Sequence, residues 1–475
     1  MRQIPQTQSH ENIEATGSGM KSTGAELETF YVLSLGCPKN RVDSEWVSAD
    51  LRRAGLRQVE EPEDADLVLV NTCAFIQAAV EESLDAVLEA AAWKTAGACR
   101  KVVLMGCMAQ RYGRELAAEL PEVDFIVGCS ELGSVPDMVL GSDRAVALQP
   151  SAPSYLPGRA TERIPSLGPH MAYLKVAEGC NRTCSFCTVP SIRGRQRSRP
   201  IAELVEETEM LVAQGVREVV LVAQDLVTYG RDIGTDLPAL LGALGRVSGL
   251  DWLRAMYLYP SGLDDRLLGA LAETCVPYLD LPIQHVSDRV LRAMNRHYEG
   301  HTIEDLFDRI ERIWPEAWIR ATLLVGHPHE GRRDFEVLRR FVERRRIDHL
   351  GLFAYSPEEG TASASLRPRP RRSTAEARRD ELMSLAMRQS ADRLRRMRGR
   401  KLDVLIEGIT GEFLYVGRHA GQAPEVDGLV YVTGDERQAD GAARLSVGDM
   451  VSVRLDDSGD YDLVGSVVGP AVSAG

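Results

Sequence analysis

Three cysteines near the middle of the chain are close enough to bind one metal centre. They are Cys180, Cys184 and Cys187, in the stretch VAEGCNRTCSFCTVP, and their spacing is CxxxCxxC. Four cysteines satisfy all the irons of a cubane 4Fe–4S cluster. A set of three leaves one iron free, so the spacing predicts an iron–sulfur cluster with one iron open to a substrate.

Two other interpretations of this loop remain. A structural zinc site closes with four Cys or His ligands, and no fourth ligand follows at finger-like spacing. Three unrelated core cysteines are the other possibility, but the residues between the cysteines are mostly polar. Polar segments are rarely buried in this way.

A second set of cysteines is spread over the first part of the chain. Cys37, Cys73 and Cys107 lie 36 and 34 residues apart, too far for a local metal-binding motif. Each follows an apolar run typical of a buried parallel strand: YVLSLGC, LVLVNTC and KVVLMGC. Because the carboxyl ends of such strands meet at one edge of a sheet, where open α/β folds bind ligands, we expect the three thiols to lie together.

The remaining cysteines have no comparable pattern of their own. Cys129 ends a fourth run, DFIVGC, so spacing alone does not separate it from the second set. Buried free cysteine is common, and core packing therefore remains an alternative for each of these thiols. Cys99 and Cys275 fit no pattern and are predicted to be packing residues.

The predicted elements that position the cysteines fall into three parts. Residues 29–140 alternate apolar strands with helical patterns, which predicts an α/β domain with a parallel sheet. Residues 141–168, rich in Pro, Ser and Gly, predict a linker. Residues 169–396 hold six strand–helix units and then an arginine-rich helix, which predicts an open (βα)6 partial TIM barrel. Cys180 follows its first strand, at the edge where such barrels place their chemistry.

The two ends of the chain differ from this pattern. Residues 397–467 contain short alternating strands separated by Gly, typical of a small all-β barrel. Residues 1–28 are polar and lack the apolar region of a secretory signal, so we expect a disordered leader. Residues 468–475 are expected to form a tail.

Composition limits the classes of partner. No apolar run reaches the length of about 18 residues that a membrane helix needs, so we expect no membrane partner. Nine cysteines without an export signal indicate a reducing, cytoplasmic location. The net charge of −13 disfavours DNA and other non-specific nucleic-acid binding, which depends on excess Lys and Arg.

The stretch EGCNRTCSFCTVPSIRGRQRSRP resembles the cluster loop of radical S-adenosylmethionine enzymes, with an aromatic residue, here Phe186, before the last cysteine. The resemblance implies that Cys180, Cys184 and Cys187 hold a 4Fe–4S cluster whose open iron chelates S-adenosylmethionine. An electron from the cluster cleaves an S–C bond of that cofactor, and the released radical abstracts an unactivated hydrogen. A dry barrel interior suits such a radical.

The stretches SLGCPKNRVDSE, VLVNTCAFIQAAVEESL and LMGCMAQRY resemble the amino-terminal domain of the methylthiotransferases. The resemblance covers about residues 29–466. It implies a second 4Fe–4S cluster on Cys37, Cys73 and Cys107, no ligand role for Cys129, and a C-terminal OB-like TRAM domain. These enzymes replace C–H by C–S–CH3; one S-adenosylmethionine supplies the methyl group and another the radical.

Two branches of that family differ in substrate. One modifies adenosine in transfer RNA; the other, the RimO type, modifies the β-carbon of an aspartate in ribosomal protein S-twelve of the small subunit. The motif GCPKN at Cys37 resembles the ribosomal-protein branch, whereas the transfer RNA branch carries Gln-Met-Asn after that cysteine. The resemblance therefore implies the ribosomal-protein substrate, with transfer RNA as the alternative, and an electron donor such as a flavodoxin or ferredoxin.

The charge of the C-terminal barrel favours the same branch. Residues 402–475 contain 13 acidic residues, four arginines and no lysine, a net charge of −9. A barrel that binds nucleic acid should carry a basic stripe, whereas an acidic one attracts a basic ribosomal protein. The alternative is an ordinary solvated acidic face.

Polar residues at other strand ends are further candidates. Gln224 and Asp225 end the second barrel strand and are expected, with Phe186, to contact the cofactor. His285, at the end of the fourth strand, is either a proton carrier or a hydrogen-bonded structural residue. In LLVGHPHEG, His327 and His329 replace the aromatic residue and the glycine that the family carries. The resemblance therefore does not imply a cofactor contact at this turn.

The arginines of RGRQRSRP, directly after the cluster loop, suit bidentate binding of carboxylates. We expect them either to pair with the carboxylate of S-adenosylmethionine or of a substrate, or to be solvated. The arginine-rich helix before the C-terminal barrel is expected to contact ribosomal RNA or simply to increase solubility.

Overall fold

The structure is a computed structural model that describes residues 27–148, 163, 165–434 and 444–470. The predicted leader lies outside the described residues except for its last two positions. Most of the predicted linker is also outside them, and the predicted tail is described only to residue 470.

The N-terminal part is a three-layer α/β domain. Its elements are β1 (Thr29–Ser34), α1 (Pro38–Arg53), β2 (Arg57–Gln58), β3 (Leu67–Thr72), α2 (Gln77–Ala96), β4 (Lys101–Gly106), α3 (Cys107–Glu119), β5 (Phe125–Gly128), α4 (Val135–Gly141) and β6 (Ala145–Ala147). All the strands are parallel, in the order β2–β1–β3–β4–β5–β6. The sheet extends into the segment predicted as linker, because β6 pairs with β5.

The strands of this sheet are apolar along their whole length because both faces are covered. Val68 and Val70 of β3 pack with α2 and α3 on one face. Leu67 and Leu69, which alternate with them, pack with α1 and α4 on the other. This double burial explains the continuous apolar runs in the sequence.

The central part is an open barrel. Its elements are β7 (Met171–Lys175), β8 (Ala177–Glu178), α5 (Val189–Arg193), β9 (Arg197–Ser198), α6 (Ile201–Ala213), β10 (Glu218–Val222), α7 (Leu237–Leu244), β11 (Trp252–Ala255), α8 (Asp265–Thr274), β12 (Tyr278–Gln284), α9 (Asp288–Ala293), α10 (Gly300–Ile313), β13 (Trp318–Val325), α11 (Arg332–Arg344), β14 (His349–Ala354) and α12 (Arg372–Arg395).

The six main barrel strands form two parallel sheets, β7–β10–β11 and β12–β13–β14. The sheets meet between β11 and β12, where the backbone N–H of Leu258 donates to the Asp280 carbonyl at 2.9 Å. The strands thus follow one another in chain order, and the predicted open (βα)6 barrel is confirmed. The short strands β8 and β9 pair antiparallel beside the cysteine loop.

The C-terminal part is a closed five-stranded barrel, which confirms the predicted all-β domain. Its strands are β15 (Lys401–Gly411), β16 (Leu414–His419), β17 (Val430–Thr433), β18 (Met450–Ser458) and β19 (Leu463–Pro470). They close in the order β15–β16–β17–β19–β18. Leu394 and Met397, at the end of the arginine-rich helix, complete its core.

The three parts pack against one another through one shared cluster. Trp46 of α1, Tyr173 of β7 and Leu405 of β15 belong to the same group of buried apolar residues. Arg163, only 1% exposed, pairs with Glu45 of the N-terminal domain and Glu207 of the barrel. In the described ranges, no helix is both long and apolar enough to cross a membrane.

Candidate active site between two sets of cysteines

One cavity contains the predicted cysteines of both sets. Its volume is about 580 Å³, and its lining includes Cys37, Cys73, Cys107, Cys180, Cys184 and Cys187. The N-terminal sheet contributes the first three at the carboxyl ends of its strands, and the barrel contributes the others. Residues more than 140 positions apart in the chain therefore face the same space.

Two of the N-terminal cysteines lie where helices begin. Cys37 is the N-cap of α1, and Cys107 is the first residue of α3. The first turns of both helices lack acidic residues. Because the N-terminus of a helix carries partial positive charge, both cysteines lie where a negatively charged group is stabilised.

Asn40 connects the three loops that carry these cysteines. Its amide nitrogen donates to the carbonyls of Leu35 and Thr72, each at 3.0 Å. Its Oδ1 lies 3.7 Å from the Cys107 sulfur and 4.0 Å from that of Cys37. One buried amide therefore fixes the relative positions of the strand ends after β1, β3 and β4.

The N-terminal thiols have different acidities. A hydrogen bond with Cys129 and, against the effect of burial, the charge of Arg193 lower the pKa of Cys107 to about 6. Burial raises the pKa of Cys73 to about 12. Cys129 is itself buried next to Cys107 and is not among the lining residues. Cys99 is buried in the core of the N-terminal domain, as expected of a packing residue.

The central cysteines follow β8 in a loop closed by backbone hydrogen bonds. The N–H of Cys180 donates to the Gly194 carbonyl at 3.1 Å, and that of Cys187 to the Cys184 carbonyl at 3.1 Å. Burial raises the pKa of Cys180 to about 11 and that of Cys187 to about 12. Arg296 donates to the Cys184 sulfur at 3.5 Å, so a cation lies beside this set as well.

An aromatic residue at the end of the third barrel strand organises the cations near the loop. The Tyr259 ring lies between two guanidinium groups, with Arg182 at 3.8 Å and Arg296 at 4.1 Å from its centroid. Arg182 also pairs with Asp225 at 2.6 Å. These contacts hold the polar cysteine loop against the barrel.

A buried network of charges joins the two domains beneath the cavity. Arg193 of the barrel pairs with Asp43 of α1 at 2.8 Å and with Glu178 at 3.1 Å. Lys175 pairs with the same two carboxylates. Burial raises the pKa of Glu178, but the charges of Arg193 and Lys175 outweigh it and hold that pKa well below its usual range.

Only some of the other predicted site residues line the cavity. Phe186 and Gln224 line the cavity, and Gln224 donates to Glu178 at 2.7 Å. Asp225 is not among the lining residues and instead holds Arg182. His285 is also outside the lining; its Nδ1 accepts from the backbone N–H of Ser287 at 2.9 Å, which fits the structural alternative.

The two histidines of the fifth strand end differ in environment. His327 is fully buried and packs edge-on against Phe186, with ring centroids 6.1 Å apart, so it supports the cysteine loop from behind. His329 is partly exposed, and its backbone N–H donates to the Pro368 carbonyl at 2.9 Å. Cys275 packs against the barrel core, as expected.

The arginines after the cysteine loop have roles that sequence reasoning missed. Arg193 and Arg199 are buried and pair with protein carboxylates, whereas Arg195 is exposed. Neither expected alternative, cofactor binding or solvation, describes the buried pair. Arg296 and Lys39 also line the cavity. No local pattern marks Arg296, and Lys39 lies in the GCPKN motif without any signal that its side chain enters the cavity.

The donor set fits a cubane better than a single ion. In the part of the chain that the structure describes, no three Cys, His, Asp or Glu side chains converge on one point where an ion could be held. A zinc site needs such convergence. The ligands of a cubane each bind a different iron and can be farther apart, and three thiols on each side of a cavity meet that requirement.

Comparisons with known proteins cover nearly the whole chain. Residues 29–128 match the family described as Uncharacterized protein family UPF0004, residues 174–342 the Radical SAM superfamily, and residues 399–468 the TRAM domain. The solved structure of the radical S-adenosylmethionine methyltransferase TsrM from Kitasatospora setae, with cobalamin and a 4Fe–4S cluster bound, is similar with a TM-score of 0.53. It is 14% identical, and the match covers 72% of this chain and 77% of that one, which shows the fold alone.

Curated relatives are much more similar in sequence. The chain is 45% identical to the ribosomal protein uS12 methylthiotransferase RimO of Anaeromyxobacter sp. (strain K), over 92% of this chain and 93% of the relative. It is 42% identical to the protein of that name from Syntrophus aciditrophicus (strain SB), over 93% and 98%. The chain therefore belongs to the RimO family of radical S-adenosylmethionine methylthiotransferases.

Proposed function

We propose that this enzyme inserts a methylthio group at the β-carbon of an aspartate in ribosomal protein uS12. The observation that carries the proposal is the single cavity lined by two sets of three cysteines. A C–H to C–S replacement needs a group that removes hydrogen and a group that delivers sulfur within reach of one carbon. Two incomplete thiol sets facing one space meet that need, and the curated relatives carry the uS12 name.

The two sets would have different tasks. Cys180, Cys184 and Cys187 would hold a 4Fe–4S cluster with S-adenosylmethionine, and the N-terminal cysteines Cys37, Cys73 and Cys107 would hold a second cluster. When bound, these groups supply the hydrogen-abstracting radical and the sulfur and methyl group of the product. The chain's own residues position them: Arg296 offsets charge at Cys184, and Arg193 does so at Cys107.

The rest of the cavity would hold the reacting groups and exclude water. Phe186 and Gln224 line it next to the central cysteines, the places expected of cofactor contacts. Phe75 and Phe353 line it as well and are 42% and 53% exposed, so apolar rings stand where it opens to solvent. A covered, largely apolar space protects a radical from side reactions.

The proposed substrate indicates where the enzyme acts. Ribosomal proteins occur in the cytoplasm, and we place the enzyme there. The cluster on Cys180, Cys184 and Cys187 needs a one-electron reductant, and a flavodoxin or ferredoxin is the proposed donor.

Part of the acidic charge of the C-terminal barrel is paired within the protein, because Glu425 pairs with Arg41 and Asp427 with Arg320. Other acidic residues, such as Asp457, remain exposed and suit a basic protein substrate.

Mass spectrometry of uS12 incubated with the reconstituted enzyme tests the proposal. We expect a methylthio mass increase on one aspartate peptide, and about eight irons per chain from two cubanes. Unmodified uS12 together with methylthiolated transfer RNA would instead identify the adenosine-modifying activity.

Two variants separate the tasks of the clusters. Cys184→Ala should abolish cleavage of S-adenosylmethionine. Cys37→Ala should retain cleavage to 5′-deoxyadenosine but form no methylthiolated product. Equal loss of cleavage in both variants would contradict the assigned division.

A further inference from the structure

Lys39 is a buried cation inside the reaction cavity. It lies in the first turn of α1, is 7% exposed, and lines the cavity together with Cys37. Its Nζ lies 3.5 Å from the ring centroid of Tyr257, which follows β11 of the barrel. The side chain therefore extends from the N-terminal domain to the barrel, in the cavity that both sets of cysteines line.

The other cations of the cavity have anionic or sulfur partners. Arg182 pairs with Asp225 at 2.6 Å, and Arg193 with Asp43 at 2.8 Å. Arg296 is 3.5 Å from the Cys184 sulfur. Within the described ranges, no carboxylate forms an ion pair with Lys39. Its near neighbour is the neutral Tyr257 ring, and the charges of Cys37 and Glu178 act on it as well.

Burying an ammonium group costs free energy. The aromatic face of Tyr257 offsets part of that cost, and the charges of Cys37 and Glu178 act in the same direction. In the part of the chain that the structure describes, no carboxylate contacts the ammonium of Lys39, so an anionic group of a ligand can form that ion pair. Because Lys39 lines the reaction cavity, that anion would be part of a ligand bound there.

The backbone around Lys39 supports a binding role. Tyr257 and Gln284, both in the cavity lining, have φ values of 61° and 69°. Non-glycine residues rarely adopt this left-handed conformation, and it concentrates where a site positions a ligand. Two such residues at neighbouring strand ends, one of them under the Lys39 ammonium, indicate a subsite built for a particular group.

We propose that Lys39 binds the side-chain carboxylate of the substrate aspartate. This inference rests on the proposed function, which requires the β-carbon of an aspartate to enter the cavity. That carbon is bonded directly to the carboxylate carbon. A cation that fixes the carboxylate in the cavity that both sets of cysteines line therefore places the reacting carbon in that cavity. An amide or a nucleobase would leave the Lys39 charge unpaired, so the subsite also discriminates against these groups.

Anaerobic calorimetry with the cluster-loaded enzyme tests the subsite through binding rather than turnover. The ligands are uS12 and a uS12 variant with asparagine at the modified aspartate. We expect the wild-type enzyme to bind the aspartate form at least about tenfold more tightly. Lys39→Met, which keeps the length of the side chain, should reduce that ratio to within about twofold, and Lys39→Arg should retain most of it. Arg195→Met, at an exposed arginine outside the cavity lining, is the matched control and should keep the wild-type ratio.

The outcomes distinguish the subsite from the proposed function. A wild-type ratio near one, or a full ratio in Lys39→Met, overturns the subsite while uS12 remains the substrate. Binding of neither form by the wild-type enzyme overturns the proposed function and the subsite with it. Iron content and circular dichroism identify a misfolded Lys39→Met. Lys39→Gln then replaces it, with the same expected loss of discrimination.

Discussion

The guanidinium of Arg193 donates to the sulfur of Cys107, 3.3 Å away from Nε and 3.2 Å from Nη2. Arg193 belongs to the barrel, at the end of the short helix that follows the central cysteines, and Cys107 belongs to the N-terminal domain. The contact joins the loop of one cysteine set to a member of the other. This contact therefore links the two halves of the cavity, and neither domain has it alone.

Loss of the Arg193 charge should weaken both the fold and the N-terminal cysteine site. Arg193→Gln leaves the buried carboxylates of Asp43 and Glu178 with less positive charge, and breaking a buried pair costs about 3–5 kcal/mol. We expect a lower free energy of unfolding by that amount in urea titrations. We also expect iron content to fall from about eight toward four per chain.

Arg195→Gln is the control for Arg193→Gln. Arg195 is two residues further along and exposed, so its replacement should change the free energy of unfolding by less than about 0.5 kcal/mol. A similar loss in both variants would mean that the buried network does not stabilise the domain contact.

Gly179, directly before Cys180, should be essential for the shape of the central loop. Its φ is +83°, and an added Cβ would lie 2.3 Å from the Arg195 carbonyl oxygen. Gly179→Ala therefore forces the backbone to move and should reduce the iron bound by the central set, measured as iron per chain. Gly242→Ala, in helix α7 with open space at its Cβ, is the control and should retain full iron.

Buried charge pairs should contribute strongly to holding the C-terminal barrel against the central barrel. Glu218 is fully buried and pairs with Arg254 at 2.7 Å and with Arg418 of the C-terminal barrel at 2.6 Å. Glu218→Gln leaves the buried Arg254 poorly compensated and Arg418 with Glu407 as its remaining partner, and it should destabilise the protein by about 3–5 kcal/mol. Urea titration followed by tryptophan fluorescence measures this loss.

Glu425→Gln gives the comparison for Glu218→Gln. Glu425 also links the C-terminal barrel to another domain, through Arg41 at 2.7 Å, but both side chains are partly exposed. Such pairs contribute at most about 1 kcal/mol. Equal effects of the two substitutions would contradict the importance that we assign to burial.

Stability should fall as the pH drops below 6.5, partly because of His419. Burial lowers the pKa of His419 to about 3, and its Nδ1 accepts from the Gly421 N–H at 3.0 Å. The unfolded chain binds this proton below its ordinary pKa of about 6.5, whereas the folded chain does not until about 3. Protonation of His419 in the unfolded chain thus lowers the free energy of unfolding by about 1 kcal/mol between pH 7 and 5.5.

His419→Asn tests the pH dependence, because an amide oxygen can take the place of Nδ1 without titrating. We expect a smaller loss of stability between pH 7 and 5.5 than in the wild type, measured by urea titration at both values. Burial also lowers the pKa values of two other histidines, His285 and His327, so part of the pH dependence of stability should remain in this variant. An unchanged slope would show that His419 is protonated in the folded protein or does not contribute.

The sequence by itself determined the elements and the identity of the cysteine loops. Continuous apolar runs predicted the parallel strands, since a strand covered on both faces has no polar side. Strand ends in parallel sheets share one edge, so the runs before Cys37, Cys73 and Cys107 predicted that these thiols would meet. The CxxxCxxC spacing is local, so it predicted the central set without any knowledge of the fold.

Only the tertiary structure decided how the two sets are placed and which charges serve them. Arg193, Arg296 and Lys39 reach the cavity from separate elements, and their surroundings depend on residues distant in the chain. No spacing rule can anticipate that Arg193 meets Asp43, 150 positions away, or that Asp225 holds an arginine rather than lining the cavity. Burial and charge compensation arise when the domains pack, because the dielectric surroundings of a side chain are a property of the assembled fold.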